Sequence, residues 1–216
     1  YALREDMTKE EFVNEVIDGL LPPPQYFPEN VRLNKSGYED IDEIMAKGKV
    51  PLSPSKFEDI ANQSGAVILD VRSADEFSKG HIPNSIFIGI DGGFAPWVGT
   101  LIGDTQHPII LVTPKGREEE TITRLSRVGF DNTLGYLEDG ITAWTAAGKD
   151  IEQIENVTAA QLQTKIEDGA ALFDVRKENE YDSVHIPNAT LIPLDKINES
   201  LNHHDFEKSF YLHCAG

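Results

Sequence analysis

The sequence has little cysteine, few basic residues and no long apolar run. Only one of its 216 residues is cysteine, which excludes an internal disulfide and favours a reducing compartment. Its 19 basic and 37 acidic residues give a formal net charge of −18, which argues against nucleic acid or an anionic membrane as a partner. No apolar run approaches the roughly 18 residues of a membrane-spanning helix. These absences predict a cytoplasmic protein.

The start of the chain, Tyr1 to Asp6, lacks both an initiator methionine and the apolar core of a signal peptide. We therefore expect the first residue to be internal to a longer parent protein. The chain is 39% hydrophobic and 26% charged, which is normal for a globular protein. Its length suits one large domain or two of ordinary size.

Residues 8–20 predict a short amphipathic helix, because Thr8 and Glu11 have the spacing of a capping box and apolar residues recur at helical intervals. Three consecutive prolines then end the helix. The stretch from Tyr26 to Gly37 is predicted to be extended. This segment is interpreted either as a linker or as the end of a preceding domain.

From Pro51 onward the sequence contains a repeat with a period of 104 residues and no gaps. A period of this length indicates a duplicated domain and places the boundary near Asp150. Short apolar strands alternate with helices, which predicts an α/β fold in which each unit has a mainly parallel sheet flanked by helices. The matched positions are Asp70, Val71, Arg72, Glu76, His81, Ile82, Pro83 and Asn84, against Asp174, Val175, Arg176, Glu180, His185, Ile186, Pro187 and Asn188.

The second unit follows the first only as far as a predicted strand at residues 210–213. Aligning this strand with residues 109–112 places Cys214 opposite Thr113. The first unit continues with a helix, a strand and a helix, so we expect the second unit to be truncated by on the order of 35 residues.

Cys214 is the candidate nucleophile. Taken alone, a single cysteine near a chain end is more often a buried structural thiol. The duplicated register favours the nucleophile, because the cysteine directly follows a strand and leads into a small-residue loop.

The Asp-Val-Arg strand end, the His-Ile-Pro-Asn turn and the strand ending in Cys214 resemble tandem rhodanese domains over residues 52–216. The Pro-Pro-Pro-Gln-Tyr-Phe-Pro run and the loop at residues 93–99 make the chain similar to fusions of a metallo-β-lactamase-fold persulfide dioxygenase with two rhodanese domains. The resemblance implies three parts. They are residues 1–50, the tail of the dioxygenase domain plus a linker; residues 51–150, a rhodanese-like domain without the cysteine; and residues 151–216, the first part of a rhodanese-like domain with it.

The resemblance implies that the Cys214 thiolate takes up sulfane sulfur from a persulfide or thiosulfate and passes it to an acceptor such as sulfite. Ala215 and Gly216 begin the implied substrate-binding loop, in which the family's arginine would lie past Gly216, and Thr113 is a degenerate nucleophile position. Arg176 is a further candidate substrate-binding residue, because it follows the neighbouring parallel strand and ligands bind at the carboxyl ends of such strands. From the residues alone, Asp174 with Arg176 is interpreted as a pair that only pins a loop, because the copy without cysteine keeps it too. The face on which the side chain of His213 lies cannot be read from the sequence.

No metal site is predicted in this chain. The His-x-His-x-Asp-His signature of the β-lactamase fold is absent, so the resemblance implies that the iron belongs to a dioxygenase domain outside these residues. His81 and His185 are interpreted as turn residues, and His203 and His204 as a solvated loop.

Two alternatives stay open. Rhodanese-like domains with a longer cysteine loop act as phosphatases or arsenate reductases, and the loop length lies beyond Gly216. The first unit is also interpreted as a non-catalytic scaffold that packs the other domains together through its Trp97 loop. Homo-oligomerisation through the parent protein is left open, and we expect this chain by itself to have little or no activity.

Overall fold

The computed structural model describes residues 7–18, 26–37, 39–200, 203–204, 206 and 208–214. No described helix has the length and apolar composition needed to cross a lipid bilayer. The helices are α1 (Lys9–Ile17), α2 (Phe27–Ser36), α3 (Ile41–Gly48), α4 (Pro54–Ser64), α5 (Ala74–Lys79), α6 (Phe94–Leu101), α7 (Glu118–Ser126), α8 (Gly140–Ala146), α9 (Ala159–Glu167), α10 (Glu178–Ser183) and α11 (Ile197–Ser200), with a 3-10 helix at Leu194–Lys196. The strands are β1 (Pro51–Leu52), β2 (Val67–Asp70), β3 (Ile86–Phe87), β4 (Ile109–Val112), β5 (Thr133–Leu137), β6 (Ala171–Asp174), β7 (Thr190–Leu191) and β8 (Phe210–His213).

The first unit is a parallel sheet with the strand order β1-β5-β4-β2-β3. Its central strand, β4, is a buried Ile-Ile-Leu-Val run, as expected for a parallel strand that helices cover on both faces. Alternate residues of β4 enter two separate cores: Ile109 and Leu111 face one, and Ile110 and Val112 face the other. The α/β prediction is therefore confirmed for this unit.

The second sheet has the order β7-β6-β8 and is also parallel. β6 and β7 begin 104 residues after β2 and β3, and β6 lies between its neighbours just as β2 lies between β3 and β4. Asp70 pairs with Val112, and Asp174 pairs with His213. The repeat read from the sequence is thus present as a repeated strand order and register, and it sets Cys214 opposite Thr113.

The prediction that residues 26–37 are extended is wrong, because Phe27–Ser36 form helix α2. Pro28 stands in the first turn of α2, where the missing N–H of proline costs no intrahelical hydrogen bond. Tyr26, the residue just before α2, packs against the first unit. A Cβ placed on Gly99 would lie 1.9 Å from Cδ1 of Tyr26. The three prolines at residues 22–24 lie outside the described residues.

Helix α3, within the segment that the sequence assigned to a tail and linker, packs into the first unit. Its residue Ile44 is only 1% exposed and belongs to the main core cluster. Its last residue, Gly48, lies against Ile122 of α7 and Thr133 of β5. The packed first unit therefore includes residues before the predicted boundary at residue 51.

Of two further local predictions, one is confirmed and one is wrong. The capping box at the start of α1 is confirmed, since the N–H of Glu11 donates to the Thr8 hydroxyl at 3.2 Å and the N–H of Thr8 donates to the Glu11 carboxylate at 2.8 Å. The predicted loop around Trp97 is instead helix α6, because Phe94 and Val98 are one turn apart and both are buried in the core.

Candidate active site

Cys214 lies at the carboxyl edge of the second sheet. It directly follows the last residue of β8, His213, and its side chain is exposed. β8 runs parallel to β6, with His213 paired to Asp174, so the residues after both strands meet at one edge. Ligands of parallel sheets bind at this edge, where the loops leave the strands.

Asp174 and Arg176 form an ion pair with several hydrogen bonds. Nε of Arg176 donates to Oδ1 of Asp174 at 2.9 Å and to Oδ2 at 3.1 Å, and Nη2 donates to Oδ2 at 2.6 Å. Nη2 also donates to the Val184 carbonyl, which follows α10, at 2.8 Å. The pair therefore ties the end of β6 to the end of α10.

The charges of this pair are well defined. Hydrogen bonds from Arg176 lower the pKa of Asp174 to about 2, against the opposing effect of burial, and the charge of nearby His213 also contributes to the lowering. Asp174 in turn raises the pKa of Arg176, and negative charge at Cys214 adds to this effect. Cys214 therefore lies within electrostatic reach of Arg176, whose Nη1 makes no hydrogen bond to the described residues.

His213 also lies at this edge. Its Nε2 is 2.9 Å from Oδ2 of Asp174. The ring nitrogen is buried but has no properly aligned hydrogen-bond partner within the described part of the chain, so the contact is electrostatic. Pairing with β6 turns the ring toward Asp174, which settles the question that the sequence left open.

The first unit has the same ion pair without the cysteine. Nη2 of Arg72 donates to Oδ2 of Asp70 at 2.5 Å and to the Gly80 carbonyl at 2.8 Å. At the two positions that correspond to His213 and Cys214, the first unit has Val112 and Thr113. Because the pair is complete beside Thr113, the structure supports its interpretation as a loop pin. A substrate-binding role for Arg176 stays a prediction.

The turn histidines are also alike in the two units. Nδ1 of His81 lies 3.0 Å from the Phe77 carbonyl, and Nδ1 of His185 lies 2.8 Å from the Tyr181 carbonyl. Each ring stacks on the aromatic ring four residues before it, at 4.0 Å and 3.9 Å. Both histidines thus hold the turn that follows α5 or α10.

The remaining predicted residues are placed as follows. Ala215 and Gly216 lie outside the described residues. His203 is exposed, but the ring of His204 packs edge-on against Phe173 at 5.6 Å, so only His203 has the solvated position predicted for both. Within the described ranges no group of three or more histidine, cysteine or acidic side chains is arranged to hold a metal ion. The described residues do not fit an iron site.

The loop that starts at Thr113 contains a residue that the sequence analysis missed. Oε1 of Glu118 accepts a hydrogen bond of 2.9 Å from the N–H of Gly116, and the Thr113 hydroxyl lies 3.5 Å from the same oxygen. A pocket of about 840 Å³ opens beside this loop. The position of Glu118 at the start of α7 was the available signal, since acidic residues favour the first turn of a helix.

The basic residues of this loop also have acidic partners. Lys115 lies 3.4 Å from Asp139, and Arg117 pairs with Asp91 and with Glu120 at 2.9 Å. The loop that corresponds to the cysteine loop therefore has each of its positive charges matched by a carboxylate.

Comparison with known proteins gives distant relatives. The chain is 32% identical over 93 residues to the Escherichia coli (strain K12) protein named "Uncharacterized protein YibN", covering 43% of this chain and 63% of that protein. It is 28% identical over 87 residues to an uncharacterized protein of Buchnera aphidicola, covering 40% of this chain and 58% of that protein. The chain thus spans less than two thirds of the curated relatives it matches.

Among solved structures, the thiosulfate sulfurtransferase of Pseudomonas aeruginosa is 21% identical, with a TM-score of 0.42, over 83% of this chain and 38% of that one. SseA of Escherichia coli, whose structure is titled as a 3-mercaptopyruvate sulfotransferase, is 16% identical, with a TM-score of 0.40, over 67% of this chain and 74% of that one.

The family model described as "Rhodanese-like domain" matches residues 53–147 and 158–216, which together make up most of the chain and lie one in each of its two structural units. The protein therefore belongs to the rhodanese-like domain family.

Proposed function

We propose that Cys214 is the nucleophile of a thiosulfate or persulfide sulfurtransferase. The observation that carries the proposal is the place of Cys214 directly after β8, beside the Asp174–Arg176 pair, at the position where the other unit has Thr113. An exposed thiol at the carboxyl edge of a parallel sheet is accessible to a small substrate.

The sulfur transfer balances without a cofactor. The thiolate of Cys214 attacks the outer sulfur of thiosulfate, a new S–S bond forms, and the old S–S bond breaks with its electron pair leaving on sulfite. With a persulfide donor the leaving group is the donor thiolate. The cysteine persulfide then gives its outer sulfur to an acceptor such as sulfite, cyanide or another thiol, which restores the Cys214 thiolate.

The proposed substrates are anions, whereas the chain carries a formal charge of −18. An anion must therefore be held by local donors. Nη1 of Arg176 is a donor at this edge that makes no hydrogen bond to the described residues. Ala215 and Gly216 would add backbone N–H groups, so Arg176, Ala215 and Gly216 are the proposed substrate-binding residues.

We assign no catalytic role to the first unit. Thr113 is buried and has no thiol, and the carboxylate of Glu118 already accepts the Gly116 N–H inside the same loop. A negative group in this place repels an anionic substrate. The first unit then serves as a scaffold, and its α6 contacts the second unit, since the amide of Asn198 donates to the Leu101 carbonyl at 3.2 Å.

The wider setting is also part of the proposal. The resemblance of the Pro-rich run and the residue 93–99 segment to dioxygenase–rhodanese fusions supports a cytoplasmic parent protein in which an iron-dependent persulfide dioxygenase supplies sulfite to Cys214. No described residue carries this coupling, and its test is whether the parent protein oxidises a persulfide substrate.

Peptide mass spectrometry tests the sulfur transfer. The parent protein is incubated with thiosulfate, and we expect one added sulfur atom on the peptide containing Cys214, sulfite in solution, and thiocyanate once cyanide is added. Cys214→Ser should show none of these. A folded protein that leaves Cys214 unmodified by thiosulfate and by a low-molecular-weight persulfide would overturn the proposal, and hydrolysis of an aryl phosphate instead would favour the phosphatase alternative.

A further inference from the structure

The carboxyl edge of the second sheet, where Cys214 lies, differs from the corresponding edge of the first sheet at His213. The ion pairs Asp174–Arg176 and Asp70–Arg72 have the same hydrogen bonds, but the residue paired with the aspartate is His213 in one unit and Val112 in the other. Val112 is fully buried in an apolar cluster. A histidine is therefore not needed to build this strand pair or to satisfy the aspartate.

The contact with Asp174 determines where His213 carries its proton. Arg176 holds Asp174 in its ionised form, and a ring nitrogen 2.9 Å from a carboxylate oxygen must bear a hydrogen, because two lone pairs would repel each other. Nε2 therefore carries a proton.

The balance of charge at this edge then depends on His213. The charged groups at this edge interact in a chain: His213 and Arg176 act on Asp174, and Glu180 of α10 and Cys214 act on Arg176. Cys214 directly follows His213, the last residue of β8. Asp174 and Arg176 neutralise each other. A thiolate or persulfide at Cys214 adds one negative charge, which a protonated His213 balances.

We propose that His213 is a positioning residue for Cys214: held against Asp174, its imidazolium favours the thiolate and persulfide forms of the neighbouring cysteine. The inference rests on the sulfurtransferase function proposed above and deepens it. In the first unit, where the nucleophile position is an uncharged threonine, the corresponding residue is the apolar Val112.

The test is the pH profile of Cys214 alkylation by iodoacetamide in the 216-residue chain. The chain has one cysteine, so the modified mass reports on Cys214 alone. We expect the rate to rise in two steps between about pH 5 and about pH 10, the lower step lying in the range where imidazole changes charge. In His213→Val and His213→Gln the lower step should vanish, and the rate at neutral pH should fall about threefold or more.

His203→Asn is the matched control. It removes an exposed histidine of the same unit whose Nδ1 lies 3.0 Å from the Glu199 carbonyl, and it should leave the profile unchanged. Val is the residue that the first unit carries at this register position, and Gln keeps a polar side chain. If the first of these variants unfolds the strand pair, as seen in the β8 amide NMR signals, the second still gives a result.

The inference is overturned if folded His213→Val or His213→Gln gives the wild-type profile, or if His203→Asn abolishes the lower step equally. Sulfur loading from thiosulfate is measured in parallel in the parent protein and separates the two proposals. Loading at Cys214 together with unchanged profiles refutes the role of His213 and leaves the sulfurtransferase standing. Altered profiles without any loading refute the sulfurtransferase and retain the electrostatic coupling.

Discussion

The carboxylate of Glu118 accepts a hydrogen bond of 2.9 Å from the N–H of Gly116, inside the loop that begins at Thr113. Hydrogen bonds to an ionised acceptor are among the strongest in proteins. The Glu118 carboxylate therefore occupies a backbone N–H donor that an anionic substrate would need. A cysteine introduced at Thr113 should not by itself restore sulfur uptake.

Thr113→Cys should load little sulfur, whereas Thr113→Cys with Glu118→Ala should load at least about tenfold more. A hydrogen bond to a charged group contributes roughly 1.5–3 kcal/mol, and about 1.4 kcal/mol is a factor of ten. Loading from thiosulfate is measured by mass spectrometry with Cys214→Ser as the background. Glu119→Ala is the control, because it removes the same charge from the same helix turn, where Glu119 pairs with Lys49 at 2.9 Å on the surface. Equal gains from both alanine variants would contradict this role of Glu118.

Gly99→Ala should lower the stability of the chain, because it disturbs the packing of Tyr26, at the start of α2, against the first unit. The added Cβ would lie 1.9 Å from Cδ1 of Tyr26, and overpacking of this kind costs typically about 1–3 kcal/mol. Thermal unfolding measures the loss, and Tyr26→Ala in the same chain should remove most of the added penalty. Gly93→Ala is the control, since its Cβ would meet Trp97 at an ordinary 3.4 Å. A Gly99→Ala chain as stable as wild type would show that Tyr26 does not rest there.

The Asp174 carboxyl should make the second unit sensitive to acid. Its pKa is about 2 in the folded chain against an ordinary 3.8, so its ionisation stabilises the fold above about pH 4, and this stabilisation is lost as the pH falls toward 2. The full effect corresponds to about 2 kcal/mol, with about half remaining near pH 3. Carboxyl NMR titration should show the low midpoint, and the stability difference between wild type and Asp174→Asn should shrink on acidification.

Asp182→Asn, at an exposed aspartate of α10, is the control for this titration. Its stability difference from wild type should show no comparable loss between neutral pH and pH values near 3. A midpoint for Asp174 at its ordinary value, or a difference that stays constant with pH, would contradict the ion pair as described.

The repeat could be predicted because its signals are local. An apolar run ending in Asp-Val-Arg makes a buried strand and its turn in either copy, so β6 and β7 fall 104 residues after β2 and β3. The equivalence of Cys214 and Thr113 then followed from strand alignment, and the pairing of Asp174 with His213 and of Asp70 with Val112 gives the same register for the residues before them.

Helices α2 and α6 could not be predicted because distant contacts stabilise them. Pro28 suggested an extended chain. The start of α2 is instead held by a contact between Tyr26 and Gly99, which is distant in sequence. The glycines before Phe94 suggested a loop, yet that residue is buried in the main core. Short helices gain most of their stability from packing of this kind rather than from local propensity.

The sequence by itself determined the duplicated α/β fold, the ends of the main strands and the place of the single cysteine after β8. These features depend on hydrophobic periodicity and on capping residues, which involve only residues close together in the sequence. Only the tertiary structure decided which charges meet at the two loops: His213 turned toward Asp174, and Glu118 turned into the loop of Thr113. These contacts depend on strand register and on the path of each loop in space, since the electrostatic interaction between two groups is set by their distance and burial rather than by their order along the chain.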